Sequence, residues 1–279
     1  MELKKEGHIL EKSKIICITA LTLFFTFSCD QAKSQTVINP LQEQNTMSVL
    51  WYQKAGEARA LFYQGYNIGR MRLDDILSKK QWKQGLKPAI VLDLDETVID
   101  NSPLFAAKIM SPASAYLNWG MWVERAEAKA LPGAIEFLKY ADSKGIAIFY
   151  ISNRKESQKA ATIINLQRVG APQADAAHVL LKQKGERGKE ARRLQVAQTH
   201  DIVLLFGDNL GDFSGFEGLS ITQRVQMVDK QRNEFGRKLI VFPNPMYGDW
   251  EGAIYQYDSR RPDLEKAKLR KDNLEPLQP

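Results

Sequence analysis

The stretch Ala89-Ile-Val-Leu-Asp93-Leu-Asp95-Glu-Thr97 constrains this chain more than any other. Ala89 to Leu92 is a short apolar run behind Pro88, the pattern of a strand covered on both faces. It runs straight into acid. Two carboxylates two residues apart on extended chain point to the same side, so Asp93 and Asp95 can converge at the strand's carboxyl end, where open α/β sheets hold their ligands. A strand ending in a solvated acidic turn would explain a lone D-x-D, but it does not require Thr97 two residues further on.

Similar runs recur along the chain. Gly145 to Ile151, Val179-Leu-Leu, Ile202 to Phe206 and Leu239 to Phe242 read as further strands, the fourth of the five ending in Gly207-Asp208 and the fifth stopped by Pro243. Helical spacing lies between them, at Leu131 to Tyr140 with Pro132 near the first turn, at Glu156 to Val169 closed by Gly170, and at Lys189 to Gln198. Alternating strands and helices predict an α/β fold with a doubly wound parallel sheet. Residues 46–80 add apolar positions at helical spacing, which predict two helices, broken near Gly65 or Gly69, packed on the main body. Residues 99–130 interrupt the alternation with Phe105, Tyr116, Trp119, Trp122, Pro103 and Pro112, a composition suited to a small cap over the strand ends. The charged tail from Arg260 is expected on the surface.

Composition removes several kinds of chemistry. At 279 residues and 44% apolar the chain can bury a full core. Its formal charge of +6 falls to +5 without residues 1–28, which suits anionic substrates; no basic cluster interleaved with aromatics supports a nucleic-acid partner. Lys4, Lys5, Lys12 and Lys14 precede an uncharged run from Ile15 to Phe27, the layout of an export signal and too short to span a bilayer comfortably. Ser28-Cys29 follows, and a small residue before Cys resembles a bacterial lipobox, which implies a lipidated Cys29, a polar tether over 29–45, and an exported protein held on a membrane. Ordinary cleavage near Ala32-Lys-Ser34 is the alternative. Cys17 and Cys29 are the sole cysteines, so the folded part has no thiol nucleophile, thiolate metal site or disulfide. His178 and His200 stand alone beside apolar segments and read as ordinary strand-edge and helix-end residues.

The run D-L-D-E-T-V-I-D-N-S-P resembles the first motif of the haloacid dehalogenase (HAD) superfamily, D-x-D-x-T/V, and in its full length the class C acid phosphatases of the lipoprotein e type. Ser152 at the end of the second strand and Gly207-Asp208-Asn-Leu-Gly-Asp212 at the end of the fourth match later motifs of that superfamily, the latter as G-D-x-x-x-D. The family also needs a lysine near a helix start. Lys189, nineteen residues before Asp208, fits its pattern, with Lys182 and Lys184 as competitors.

The resemblance implies a Mg²⁺-dependent acid phosphatase or 5'-nucleotidase acting on small phosphate monoesters, and the aromatic cap points to nucleotides among them. Asp93 is then the nucleophile and Asp95 the general acid and base, since an alkoxide leaving group needs a proton. Mg²⁺ is expected on the side chains of Asp93 and Asp208 and the backbone carbonyl of Asp95, because clustered carboxylates need a compensating cation. Asp212 orients Lys189, while Ser152 and the Asn153 amide hold phosphate oxygens. Phe105, Tyr116, Trp119, Trp122 and, beyond the fifth strand, Tyr247 are candidate base-stacking rings; they can equally form the cap's own core or a homodimer contact. Asp100 and Asn101 either cap a turn or join the site, and Arg154 either meets substrate or pairs with a surface carboxylate. Two other readings remain: a non-enzymatic surface lipoprotein that binds haem or another ligand, and a phosphotransferase that passes the phosphoryl group to an alcohol.

Overall fold

The computed structural model describes residues 39–111 and 117–277. The expected signal segment, Cys29 and Tyr116 lie outside the described residues. Five parallel strands form the central sheet: β1 (Lys87–Leu92), β4 (Ala147–Lys155), β5 (Val179–Lys182), β6 (His200–Gly207) and β7 (Leu239–Val241), in the order β5-β4-β1-β6-β7. The chain builds outward from β1 on one side and then returns to lay β6 against its other edge. The order therefore switches at β1, whose carboxyl end becomes the crevice between β4 and β6.

Period-two alternation gives β1 two buried faces. Ile90 and Leu92 join one apolar cluster, Ala89 and Val91 the other. The first cluster takes in α3 (Gly56–Lys79), α6 (Ala134–Ser143) and α7 (Lys159–Arg168); the second takes in α8 (Glu190–Ala197) and the buried rings of Phe213 and Phe216. A short antiparallel ribbon of β2 (Ile99–Asp100) and β3 (Lys129–Ala130) forms the base of the cap, and α4 (Ser102–Met110) and α5 (Trp119–Arg125) lie between its strands.

The amino-terminal helices divide elsewhere than the glycines suggested. α2 (Thr46–Lys54) ends at Ala55, which is extended at φ −73° and ψ 130°, and α3 then runs unbroken through both Gly65 and Gly69. These glycines lie four apart on one helix face. A Cβ on Gly65 would fall 2.3 Å from the Phe242 ring, and one on Gly69 2.6 Å from the Phe206 ring. Their role is close approach to the sheet, which outweighs their poor helix propensity. Other boundaries shift for local reasons. α6 starts only at Ala134, after Gly133 adopts φ 81°, so Pro132 precedes the helix. The expected helix from Glu156 opens as a 3₁₀ turn before α7, and Gly170 closes it at φ 80°.

Helix already begins within residues 29–45, the span read as a tether. One turn of helix, α1 (Pro40–Glu43), follows Asn39, and α11 (Asp263–Asp272) packs against it. The Asn39 amide donates to Asp263 at 2.7 Å and Arg270 donates to the Leu41 carbonyl at 2.8 Å. The charged tail is thus on the surface but clasps the start of the fold. Among the described residues no helix is long and apolar enough to cross a membrane.

Gly69→Ala should lower stability by about 1–3 kcal/mol through overpacking, despite alanine's better helix propensity. Thermal unfolding of the variant checks this, and an unchanged or raised midpoint would contradict the close-approach role.

Candidate active site

Backbone pairing carries the β1 ladder one residue past the strand, because the Asp93 amide donates to the Phe206 carbonyl at 2.9 Å. The chain then closes a tight loop: the amides of Val98 and Ile99 return to the Leu94 carbonyl at 2.8 and 3.0 Å. Glu96 sits in that loop at φ 62°, a conformation costly for a side chain other than glycine. Its buried carboxylate is held there by the Asn101 amide at 2.7 Å and by the Tyr247 hydroxyl. Burial first, then the charge of Asp95, pushes Glu96 up to about 8.

Asp93 meets Lys189 and Asp212 below this loop. The Lys189 ammonium, 5% exposed, donates to Asp93 Oδ1 and, at 2.5 Å, to Asp212 Oδ1. Lys189 occupies the N-cap position of α8, and its own amide is taken by Glu217 at 3.0 Å. Gly188 just before it has φ 60°, with Glu217 standing where a side chain would be. Asp212 can fold back over the end of β6 because Gly207 has no Cβ, which would lie 2.3 Å from Asp212 Oδ2; that oxygen instead accepts the Asn209 amide at 2.9 Å. The first and last positions of the G-D-x-x-x-D pattern, Gly207 and Asp212, therefore serve one geometry.

Asp208 completes the acidic centre. It accepts from Asn244 at 2.7 Å and from the Thr97 hydroxyl at 3.3 Å. Carboxylate oxygens of Asp93, Asp208 and Asp212 all lie within 4.8 Å of one another. Burial, reinforced by Asp212 and Asp93, raises the pKa of Asp208 well above its ordinary value; burial likewise raises Asp93, with Lys189 opposing and Asp212 and Asp95 adding to the rise. Burial works against the Lys189 charge, but Asp212 and Asp93 outweigh it and push its pKa up. Three carboxylates stand beside one ammonium, which bonds two of them, and all the candidate ligand atoms are hard oxygens. That charge excess fits a divalent cation.

Asp95 is held separately. The Arg154 guanidinium reaches its Oδ1 from Nη2 at 2.7 Å and from Nε at 3.0 Å, and Asn101 donates to the same oxygen at 2.9 Å. Oδ2 receives the Ser152 hydroxyl at 3.2 Å. Arg154, 2% exposed, therefore pairs with a partly buried carboxylate of the site, not a surface one. Asn101 joins the site, whereas Asp100 caps the turn by accepting the Ser102 amide at 2.8 Å. Asn153 stays exposed, and its side chain accepts from Arg192 at 2.9 Å.

The cap rings divide. Phe105 stacks on Tyr247 with centroids 4.8 Å apart, and Trp119 meets Tyr247 edge-on at 6.5 Å. Trp122 instead commits its indole N–H to Asn101 at 2.8 Å. Lys182 lies in β5 and Lys184 in the loop after it, while Lys189 alone of the three bonds the aspartates. The sequence reading missed Glu96 and Asn244. Glu96 stood inside the acidic motif with no mark distinguishing it from a solvated turn residue, and Asn244 lies between two prolines beyond the last strand.

Residues 18–250 match the family described as HAD superfamily, subfamily IIIB (acid phosphatase). The fold is similar to the solved structure of the class C acid phosphatase from Bacillus anthracis, at 55% identity and TM-score 0.82, over 86% of this chain and all of that one. The same enzyme with tungstate bound matches at 56% identity, TM-score 0.82 and the same coverage. With these matches and the acidic centre at the β1 switch point, the chain belongs to the HAD superfamily, subfamily IIIB, and is an acid phosphatase, a hydrolase of phosphate monoesters.

Proposed function

We propose that the protein is an exported, Mg²⁺-dependent phosphomonoesterase that works through a phosphoryl group carried on Asp93 and prefers nucleoside monophosphates. The observation that supports it most is the Lys189 bridge between Asp93 and Asp212 beside a separately oriented Asp95. Such a pair of carboxylates in different surroundings suits one to attack and the other to proton transfer.

In the proposed reaction an Asp93 oxygen attacks phosphorus and the phosphorus–ester oxygen bond breaks. The leaving oxygen keeps its electron pair and takes a proton from Asp95, giving the free alcohol. Water then attacks the phosphoryl group on Asp93, passes its proton to Asp95, and releases inorganic phosphate with the Asp93 carboxylate restored. Lys189 offsets charge on Asp93 and the transferring group, Asp212 keeps Lys189 in place, and Ser152 with the Asn153 amide binds phosphate oxygens. The side chains of Asp93 and Asp208 with the Asp95 carbonyl would hold Mg²⁺. When bound it neutralises negative charge on the substrate phosphate.

Nucleotide preference rests on the Phe105, Trp119 and Tyr247 cluster next to Asp95 and Glu96, with Tyr116 and Trp122 as further candidates. Base stacking on such rings is worth roughly 1–3 kcal/mol and tolerates any base. Residues 1–28 are proposed as the signal, Cys29 as the lipidated residue, a tether as the link to the fold, and the remainder as one phosphatase domain with its cap at about 99–130. The intact Asp95, Lys189 and Asp212 contacts speak against a haem-binding relic. Transfer to an alcohol in place of water uses the same groups and remains the second enzymatic reading, as a homodimer does for the assembly.

Asp93→Asn should abolish turnover, and Asp95→Asn should reduce it to a trace on alkyl esters, each with the fold retained, and beryllofluoride should bind the wild type against Asp93; more than trace turnover by Asp93→Asn would overturn the covalent route. A phosphate-release screen after chelation should show activity restored by Mg²⁺, with higher kcat/KM for nucleoside 5'-monophosphates than for glycerol phosphate. Phe105→Ala and Tyr247→Ala should then raise KM for nucleotides selectively, and equal efficiency on both substrates in every variant would remove the base-stacking role. Cys29→Ser should release soluble protein or block processing; wild-type protein found wholly soluble would remove the anchor.

A further inference from the structure

The groups around Asp95 form a chain of hydrogen bonds that begins in the cap. Trp122, on cap helix α5, donates its indole N–H to Asn101 Oδ1 at 2.8 Å, and Arg154 Nη2 donates to that same oxygen at 3.4 Å. Both are pure donors, so the Asn101 oxygen must face them and its amide NH₂ must face the other way. There it meets Asp95 Oδ1 at 2.9 Å and Glu96 Oε2 at 3.3 Å, two acceptors. The Asn101 side chain is fully buried and has one consistent orientation, which the Trp122 N–H helps select.

The two oxygens of Asp95 are consequently unequal. Oδ1 takes Arg154 Nη2 at 2.7 Å, Arg154 Nε at 3.0 Å and Asn101 at 2.9 Å; Oδ2 takes a longer contact from Nε at 3.1 Å and the Ser152 hydroxyl at 3.2 Å. Arg154 is itself fixed, by Thr162 at 3.2 Å, by its own amide on Ser152 Oγ at 3.1 Å, and by the Trp119 ring of the same cap helix, 5.8 Å from the guanidinium. Oδ1 is thus the anchored oxygen and Oδ2 the one with capacity for a proton. Both anchors, Arg154 and Asn101, are in turn touched by a tryptophan of α5.

We infer that Arg154 and Asn101 are positioning residues that present Asp95 Oδ2 to the leaving-group oxygen, and that Trp122 ties this orientation to the seating of the cap. The inference rests on the proposed role of Asp95 as the acid. It makes the cap a determinant of proton delivery, separate from any contact its rings make with substrate. A leaving group that departs as a stable anion has little need of the proton, whereas a ribose or glycerol hydroxyl depends on it.

The test compares kcat/KM for p-nitrophenyl phosphate and for a nucleoside 5'-monophosphate and glycerol phosphate, in the metal-loaded enzyme and in Arg154→Lys, Asn101→Ala and Trp122→Phe. Arg154→Lys keeps a positive charge and loses the fork; Trp122→Phe keeps an aromatic ring and loses the N–H together with the indole's pyrrole ring. Misplacement of an oriented group can cost about 10²-fold, so the ratio of alkyl to aryl efficiency should fall about tenfold to hundredfold in Arg154→Lys and in the same direction, by less, in Trp122→Phe. Glycerol phosphate carries no base, so a matching loss on it separates proton delivery from ring stacking. Equal losses on aryl and alkyl substrates, or none, in folded Arg154→Lys and Trp122→Phe would overturn the inference. Asp95→Asn is the control on the underlying reading: if its residual efficiency shows no dependence on the leaving group, the acid role itself fails, whereas a strong dependence there with none in Arg154→Lys defeats only the positioning role.

Discussion

One buried ammonium holds the centre of this enzyme together. Lys189 lies between Asp93 from the end of β1 and Asp212 from the loop after β6, so it neutralises across two hydrogen-bonded neighbouring strands at their carboxyl ends. Removing one partner of a buried charge pair typically costs about 3–5 kcal/mol, because the other is left uncompensated. Several local features serve this contact. Gly207 makes room for Asp212, Gly188 makes room for Glu217, and Glu217 anchors the Lys189 backbone. The lysine is short of charge to balance three acids, and that deficit makes the cluster of oxygens suited to a hard cation.

A second balance stands beside the first and is kept apart from it. Arg154 belongs to β4, on the opposite side of β1 from β6, and it serves Asp95 alone among the aspartates of the site. The successive acids of D-x-D thereby face different counter-charges, an ammonium for the first and a guanidinium for the second. Glu96 forms a third environment, in which burial favours the protonated form and Tyr247 brings the loop after β7 into contact with the loop after β1. The strands supply rigid positions, and the distinct behaviour of neighbouring carboxylates comes from what each strand's neighbour places against it.

The sheet was legible in the sequence because each strand carries its own local signal: a run of apolar residues, a period-two alternation, a polar stop. Asp93, Asp95 and Asp208 stand at strand ends that the same signals mark, whereas Asp212 and Lys189 were singled out by their resemblance to the HAD motifs, Lys189 over Lys182 and Lys184. What was not legible depends on partners distant in the chain. Gly65 and Gly69 look like helix breaks unless one knows that Phe242 and Phe206 press against them. Asn101 and Arg154 are indistinguishable from turn and surface residues until β1, β4 and α5 are assembled, and Glu96 gains its character from a tyrosine some 150 positions later. Polar residues of a loop have many local uses, and only tertiary placement selects among them.

The route of the chain through the sheet has a consequence for biogenesis. The strand bearing the nucleophile comes first and lies in the middle, but the lysine that tames its charge follows 96 residues later and β6 later still. Parallel pairing over such distances is slow, since the loop must close before any contact rewards it. As the chain emerges, β1 can pair with β4 while its other edge stays bare and apolar. That interval exposes Ile90 to Leu92 to wrong neighbours, the situation in which folding helpers act on nascent chains. Asp208 and Asp212 reach the site only once β6 joins β1, so no turnover is expected from a chain that has not made that closure.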